Sequence, residues 1–207
     1  MSFTGPNPTV LVPGFAGGNA PFAPFREACL ARGIDAVSWE RAPLVYRRRI
    51  AWHGKRLAED LLRLREKSDV PLTGVGWSEG GLIFTSALQH LSAEFGNPED
   101  IVRRIITFGT PFDGTWAASL GGLLDRLLQL SVREMRPGSP VLSALVAFLH
   151  RPRRWDFQAV TGTLDVLVHA PQTSLDAAWC HQGPWDHTAL FWHHGLFDLI
   201  HTLIERP

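Results

Sequence analysis

Leu72-Thr73-Gly74-Val75-Gly76-Trp77-Ser78-Glu79-Gly80-Gly81-Leu82-Ile83-Phe84 changes its pattern in mid-course. Leu72 to Gly76 reads as a strand that runs straight into Ser78. A helical pattern, carried by Leu82, Phe84, Ala87 and Leu88, follows at once. Between them, Gly76-Trp77-Ser78-Glu79-Gly80 fits the pattern G-x-S-x-G. A strand that turns sharply into a helix forces the serine between them into a strained, exposed conformation. Side chains flanking such a turn would clash with the neighbouring strand and helix, so glycines belong there. The helix that follows aims its first amides and its positive dipole end at the serine, which favours a developing oxyanion. These features make Ser78 a candidate nucleophile.

Outward from this stretch, strand and helix signals alternate along the whole chain. Thr9 to Val12, Ile34 to Trp39, Val102 to Phe108, Trp155 to Val160 and Ala177 to His181 read as strands. Phe22 to Arg32, Arg48 to Lys67 and Thr188 to Glu205 read as helices, the second with Ile50, Leu57, Leu61 and Leu64 on one face. This is the pattern of an α/β domain, a mostly parallel sheet with helices on both faces. No repeat or low-complexity linker interrupts it, so residues 1–207 read as one domain. The stretch Trp116 to Pro152 breaks the alternation with two leucine-rich helical segments, around Leu120 to Leu130 and Val141 to Leu149. Leu120, Leu123, Leu124, Leu127, Leu128 and Leu130 wrap most of a helix surface, more than one core-facing stripe needs. The segment reads either as extra core, a rigid pair of packed helices, or as a cap; the expectation is a helical cap at 116–152, with Leu124 and Leu128 on the wall of a substrate pocket.

A nucleophilic serine needs a base, and the base needs an acid to orient it. After the strand at Trp155 to Val160 comes Thr161-Gly162-Thr163-Leu164-Asp165, which places an acid just past a strand's end. Asp176 and Asp186 are its rivals. Among nine histidines, His187 lies in the loop before the last helix, from which its ring can swing toward Ser78. His193, His194 and His201 fall within the expected helix and read as packing or surface residues. Pro13-Gly14-Phe15 follows the first strand and faces the same edge, so the Phe15 and Glu79 amides are the candidate oxyanion donors. The Glu79 side chain either turns into the structure or faces the acyl pocket, where it would favour polar or cationic substrates. Trp77 and Phe112, beside the nucleophile turn and after the fourth strand, are further candidates for substrate contact.

Composition narrows the function classes. Twenty basic and twenty acidic residues cancel, so no overall field recruits nucleic acid or an anionic membrane. The two cysteines, Cys29 and Cys180, stand in no metal-ligand spacing and read as free thiols. No histidine spacing suggests zinc, and no metal or organic cofactor is expected. No apolar run reaches membrane-spanning length, so stable membrane insertion is not expected. The start Met-Ser-Phe-Thr-Gly-Pro carries neither a basic region nor an apolar run of a leader, which predicts a cytoplasmic protein. A secreted form without its leader would read the same way.

Four segments, in order, resemble the small bacterial lipase and esterase branch of the α/β-hydrolases. They are Thr9-Val10-Leu11-Val12-Pro13-Gly14-Phe15, Gly76-Trp77-Ser78-Glu79-Gly80-Gly81, Ile105-Ile106-Thr107-Phe108-Gly109-Thr110-Pro111-Phe112-Asp113-Gly114-Thr115, and Asp186-His187-Thr188-Ala189-Leu190. Met135 to Leu145 is similar to a further segment of that branch. Pro13 and Phe112 stand where those enzymes usually carry His, and Asp186 stands where Gly usually precedes their catalytic His. The resemblance implies an α/β-hydrolase fold and carboxylic ester hydrolysis through Ser78, His187 and Asp165, acting on a small-molecule ester or lipid. The same residues would serve a thioesterase, an amidase or an acyltransferase. A binding protein that merely keeps the fold is the alternative from another class.

Overall fold

The computed structural model describes the chain except residues 1, 2, 4–6, 16, 17, 43–45, 121–130 and 207. Among the described residues there are six strands: β1 (Thr9–Val12), β2 (Ala36–Ser38), β3 (Leu72–Trp77), β4 (Val102–Phe108), β5 (Asp156–Gly162) and β6 (Cys180–Gly183). They pair in the order β2-β1-β3-β4-β5-β6, and every pairing is parallel. The chain steps outward from β1 to β2 and then crosses back to β3. That reversal leaves a crevice beyond the carboxyl ends of β1 and β3, the place where open α/β sheets bind ligands. Phe15 follows β1 and Ser78 follows β3, so the topology sets both at this crevice.

Two apolar layers hold the helices to the sheet. On one face lie α2 (Ile50–Arg65) and α3 (Glu79–Phe95), with Leu57, Leu61, Leu82, Phe84 and Leu88 in one core cluster. Helix α2 buries Ile50, His53, Gly54, Leu57, Ala58 and Leu61, the 3.6-residue stripe of an amphipathic helix. On the other face, α1 (Ala23–Ala31) packs with the closing helix over the outer sides of the strands. The closing helix, His194–Glu205, buries Leu196, Phe197, Ile200, Leu203 and Ile204, each worth roughly 1.5–3 kcal/mol of apolar burial. Cys29 and Cys180 are unpaired thiols. Cys29 Sγ lies 3.3 Å from His201 Nε2 in this layer. Burial pushes the thiol up to about 12, against a smaller lowering from Arg32, and pushes the imidazole down to about 4. A protonated thiol therefore faces a neutral ring.

Several element boundaries differ from the sequence reading. The closing helix begins at His194 rather than Thr188, after a 3-10 turn at Ala189–Phe191. Asp186 Oδ1 accepts from the Thr188 amide at 2.7 Å, and His193 Nδ1 accepts from the Leu196 amide at 3.3 Å. The His193 side chain thus caps a new helix, and the one expected helix is split. The last strand is Cys180–Gly183 rather than Ala177 to His181, because Asp176 caps a 3-10 turn at Ala177–Trp179.

Within the expected cap at 116–152, the structure describes α4 (Ala117–Leu120), a 3-10 turn at Ser131–Met135 and α5 (Pro140–Leu149). Helix α5 packs against α3, and its Leu142, Leu145, Phe148 and Leu149 join the α2–α3 core. It is a layer helix that carries the crossover from β4 to β5, capped by the Ser139 hydroxyl, which accepts from the Val141 amide. Leu124 and Leu128 lie outside the described residues. No helix among the described residues is long and apolar enough to cross a membrane.

Candidate active site

Strand β3 delivers Ser78 at φ 53 and ψ −126, and Ser78 is the one described residue other than glycine with positive φ. An L residue adopts that conformation only where its surroundings hold it there. The Ser78 amide donates to Phe108 O at 2.8 Å, and its carbonyl accepts from Thr110 Oγ1 at 2.9 Å and from the Gly81 amide at 3.1 Å. Close approach explains the flanking glycines. A Cβ on Gly80 would lie 2.2 Å from Val12 O, and one on Gly14 would lie 2.7 Å from the Ser78 Cβ. The first contact seats α3 on the end of β1; the second brings the turn after β1 against the serine.

His187 Nε2 lies 3.0 Å from Ser78 Oγ, and its Nδ1 lies 2.8 Å from Asp165 Oδ2. Asp165 is fully buried at its side chain, with Oδ1 accepting from the Leu167 and Val168 amides at 2.9 Å each. Two amides on one oxygen fix the carboxylate's orientation, and the other oxygen is left to face the imidazole. The carboxylate only accepts, so Nδ1 carries the ring proton and Nε2 is free to accept from the serine hydroxyl. The geometry thus brings these three sequence candidates together. The rival acids are engaged elsewhere: Asp176 caps a 3-10 turn and Asp186 holds the Thr188 amide and hydroxyl.

Trp77 is brought to the site but stands behind the imidazole. Its Nε1 donates to His187 O at 2.8 Å, and its ring packs 5.4 Å from the imidazole and 4.5 Å from Phe191. This brace fixes the loop that carries His187. Phe112 is buried edge-on to Phe157, at 5.7 Å between ring centres, within the core on the α2–α3 face. Glu79 opens α3, so its amide has no intrahelical acceptor. No described group accepts from it or from the Phe15 amide. Both amides stand at the carboxyl edge beside Ser78.

The Glu79 side chain is fully buried. Neither of its oxygens has a hydrogen-bond partner among the described residues. Burial pushes the carboxyl up to about 8; the nearby Ser131 hydroxyl lowers it in part, and the Glu134 charge adds to the rise. The Ser131 hydroxyl forms its hydrogen bond with Tyr46 O, at 3.1 Å. Of the two sequence readings of Glu79, the geometry fits a side chain turned into the structure.

Sequence reasoning missed the residues that fasten this arrangement. Tyr46 is buried and donates from its hydroxyl to Pro13 O at 2.9 Å, pinning the turn that carries Phe15. The segment after β4 grips the loop that carries Asp165. Asp113 accepts from the Thr173 and Ser174 amides at 2.5 and 3.0 Å, Thr115 Oγ1 donates to Leu167 O at 2.6 Å, and Trp116 Nε1 donates to Val166 O at 2.7 Å. Leu164 and Val166, on either side of Asp165, are 61% and 68% exposed, and Trp116 beside them is 47% exposed. An apolar rim therefore flanks the acid.

No protein-family model and no curated protein sequence matches the chain. Solved structures do. The mature form of the Bacillus licheniformis lipase BlEst2 superposes with a TM-score of 0.77 at 20% identity, over 99% of this chain and 94% of that one. Aspergillus fumigatus lipase B gives a TM-score of 0.73 at 17% identity over 97% of this chain, which spans about half (52%) of that protein. The esterase RhEst1 from a Rhodococcus species gives 0.58 at 16% identity, over 96% of this chain and 90% of that one. At these identities the likeness is one of fold: the chain has the α/β-hydrolase fold, in the form found among lipases and esterases.

Proposed function

We propose that this chain is a serine hydrolase of carboxylic esters, with Ser78 as nucleophile, His187 as general base and Asp165 as the residue that orients the imidazole. The observation that carries the reading is the chain of hydrogen-bonding contacts from Ser78 Oγ to His187 Nε2 at 3.0 Å and from His187 Nδ1 to Asp165 Oδ2 at 2.8 Å. Ser78 Oγ attacks the ester carbonyl while its proton passes to Nε2. The buried Asp165 carboxylate stabilises the imidazolium that forms. The oxyanion of the tetrahedral intermediate is held by the Phe15 and Glu79 amides, a donor of this kind being worth about 3–4 kcal/mol in the transition state. His187 then protonates the departing alkoxide, and an acyl group stays on Ser78. Water, activated by the same imidazole, releases the acid. These steps draw on no metal or organic cofactor.

The apolar rim of Leu164, Val166 and Trp116 favours an apolar acyl group over a charged one. The fold's neighbours, a lipase from Bacillus and an esterase from Rhodococcus, fit an ester or lipid substrate. With α5 packed in the α3 layer, that helix forms no part of a cap. A panel of p-nitrophenyl esters from acetate to palmitate tests the proposal. It expects turnover with at least part of the series and its loss in Ser78→Ala. A folded chain inert to every ester would contradict it.

A further inference from the structure

Resting on the hydrolase reading, we infer that Glu79 is a positioning residue that works as a neutral carboxylic acid, and that its ionisation shuts down the oxyanion hole its own amide helps to form. The argument begins from placement. The residue that follows the nucleophile supplies the amide, and its carboxyl is buried with no hydrogen bond from any described residue to either oxygen. An ionised carboxylate in that position would have no direct hydrogen bond from a described residue, and the nearby Ser131 hydroxyl, engaged with Tyr46 O, would offset its desolvation only in part. Glutamate is therefore retained here in the protonated form, and the rise of its carboxyl to about 8 by burial agrees.

The surroundings reinforce this preference on each side. From the 3-10 turn Ser131–Met135, Glu134 adds a like charge. Its carboxylate is engaged by the Ile50 amide at 2.6 Å and by the highly exposed Arg49 guanidinium at 4.0 Å. From the segment before α2, Tyr46 presents a phenol whose ionisation is pushed up by burial and by Glu79 itself, so it stays a donor to Pro13 O. Behind Tyr46, at 4.8 Å between ring centres, His53 is pushed down to about 4 by burial and by Arg56 and Arg48, and is neutral in the working range. On the far side of Ser78 stand His187 and Asp165. None of these groups supplies Glu79 with a direct counter-charge.

When Glu79 loses its proton, a negative charge appears on the very residue whose amide must stabilise the oxyanion. Two like charges in a poorly hydrated site repel strongly, so acylation slows while the fold persists. The sign follows: the neutral form prevails at low and neutral pH, and activity falls as pH rises through the Glu79 ionisation. The loss read in kcat/KM, which reports the free enzyme, is on the order of tenfold to a hundredfold.

The test is kcat/KM for p-nitrophenyl butyrate from about pH 6 to about pH 10, in the wild type and in Glu79→Gln, with circular dichroism confirming the fold at each pH. Each profile is normalised to its own value at pH 7. The wild type is expected to lose at least tenfold on the alkaline side, Glu79→Gln to lack that limb, and Tyr46→Phe to keep it. A limb that persists in Glu79→Gln, or a flat wild-type profile, overturns the inference while leaving the hydrolase reading intact. No ester turnover at any pH overturns the hydrolase reading and the inference with it. Should Glu79→Gln not fold, ¹³C-carboxyl NMR of the wild type decides: a Glu79 midpoint above about pH 6 supports the inference, and one at or below that value overturns it.

Discussion

Gly109→Ala should disable the site with only modest harm to the fold. Gly109 directly follows β4 at φ +56, and a Cβ there would lie 3.1 Å from Asp165 Oδ2, 3.1 Å from His187 Nδ1 and 3.3 Å from His187 Cε1. The added methyl would press on the hydrogen bond that joins acid and base. Ordinary carbon contacts lie at about 3.5–4.0 Å, so one partner must retreat by a few tenths of an ångström. Asp165 cannot, since two amides hold its other oxygen at 2.9 Å. The displacement therefore falls on the imidazole, which must tilt away from Ser78. A misplacement approaching 1 Å costs about 10²-fold in rate, so kcat should fall by about ten- to a hundredfold. Left-handed backbone in alanine adds roughly 1–2 kcal/mol of destabilisation. Gly33→Ala supplies the control, because Gly33 has φ +75 with nothing within 4 Å of an added Cβ. Urea unfolding and p-nitrophenyl butyrate turnover, measured on both variants well below their melting points, separate the two effects. Both should lose similar stability, and only Gly109→Ala should lose turnover. A kcat within about twofold of wild type in Gly109→Ala would refute the reasoning.

Ser78→Ala and His187→Ala should each lower kcat by roughly 10⁴- to 10⁶-fold and Asp165→Ala by less, with double variants no worse than the worst single one; additive losses would mean the three do not act together. Asp113→Ala removes the acceptor of the Thr173 and Ser174 amides and should cost about 1–3 kcal/mol. Hydrogen exchange should rise across residues 165–175 before it rises in β4, and unchanged exchange there would count against the latch. Glu79→Gln should change the pH dependence of stability. The wild-type carboxyl sits at about 8 in the fold against about 4.3 unfolded, so wild-type stability should fall as pH rises between these values. The total is at most about 5 kcal/mol at 1.36 per unit, and the variant should lack that slope in urea titrations; equal slopes would contradict a buried, neutral Glu79.

The fold was legible because its deciding signals are local. In Leu72 to Phe84 the strand, the glycines and the helix are adjacent in sequence, and steric demand at one turn selects Gly76 and Gly80. Asp165 was legible from its place just past a strand end, and His187 from its place in the loop before the last helix. What stayed hidden rests on contacts between distant residues. Tyr46 lies in an irregular stretch without periodicity, and its partner is the carbonyl of Pro13, 33 residues away. Asp113 meets Thr173 across 60 residues. For Pro140–Leu149 an apolar composition fits a cap and packed core alike, and only the structure shows the helix buried against α3 with its Phe148 stacked on Trp155. The split in the closing helix was missed because His193 resembles any helical residue until its ring is seen to accept the Leu196 amide.

Covalent capture of the nucleophile tests the account most directly. A fluorophosphonate reacts with a serine only where a base withdraws its proton and an oxyanion hole holds the phosphoryl oxygen. Incubation of the folded chain, followed by peptide mass spectrometry, should give one adduct, on Ser78, within minutes. Ser78→Ala should give none, and His187→Ala should slow labelling by orders of magnitude. A folded wild type that stays unlabelled, or carries its adduct on another serine, would contradict the assignment of Ser78, His187 and Asp165.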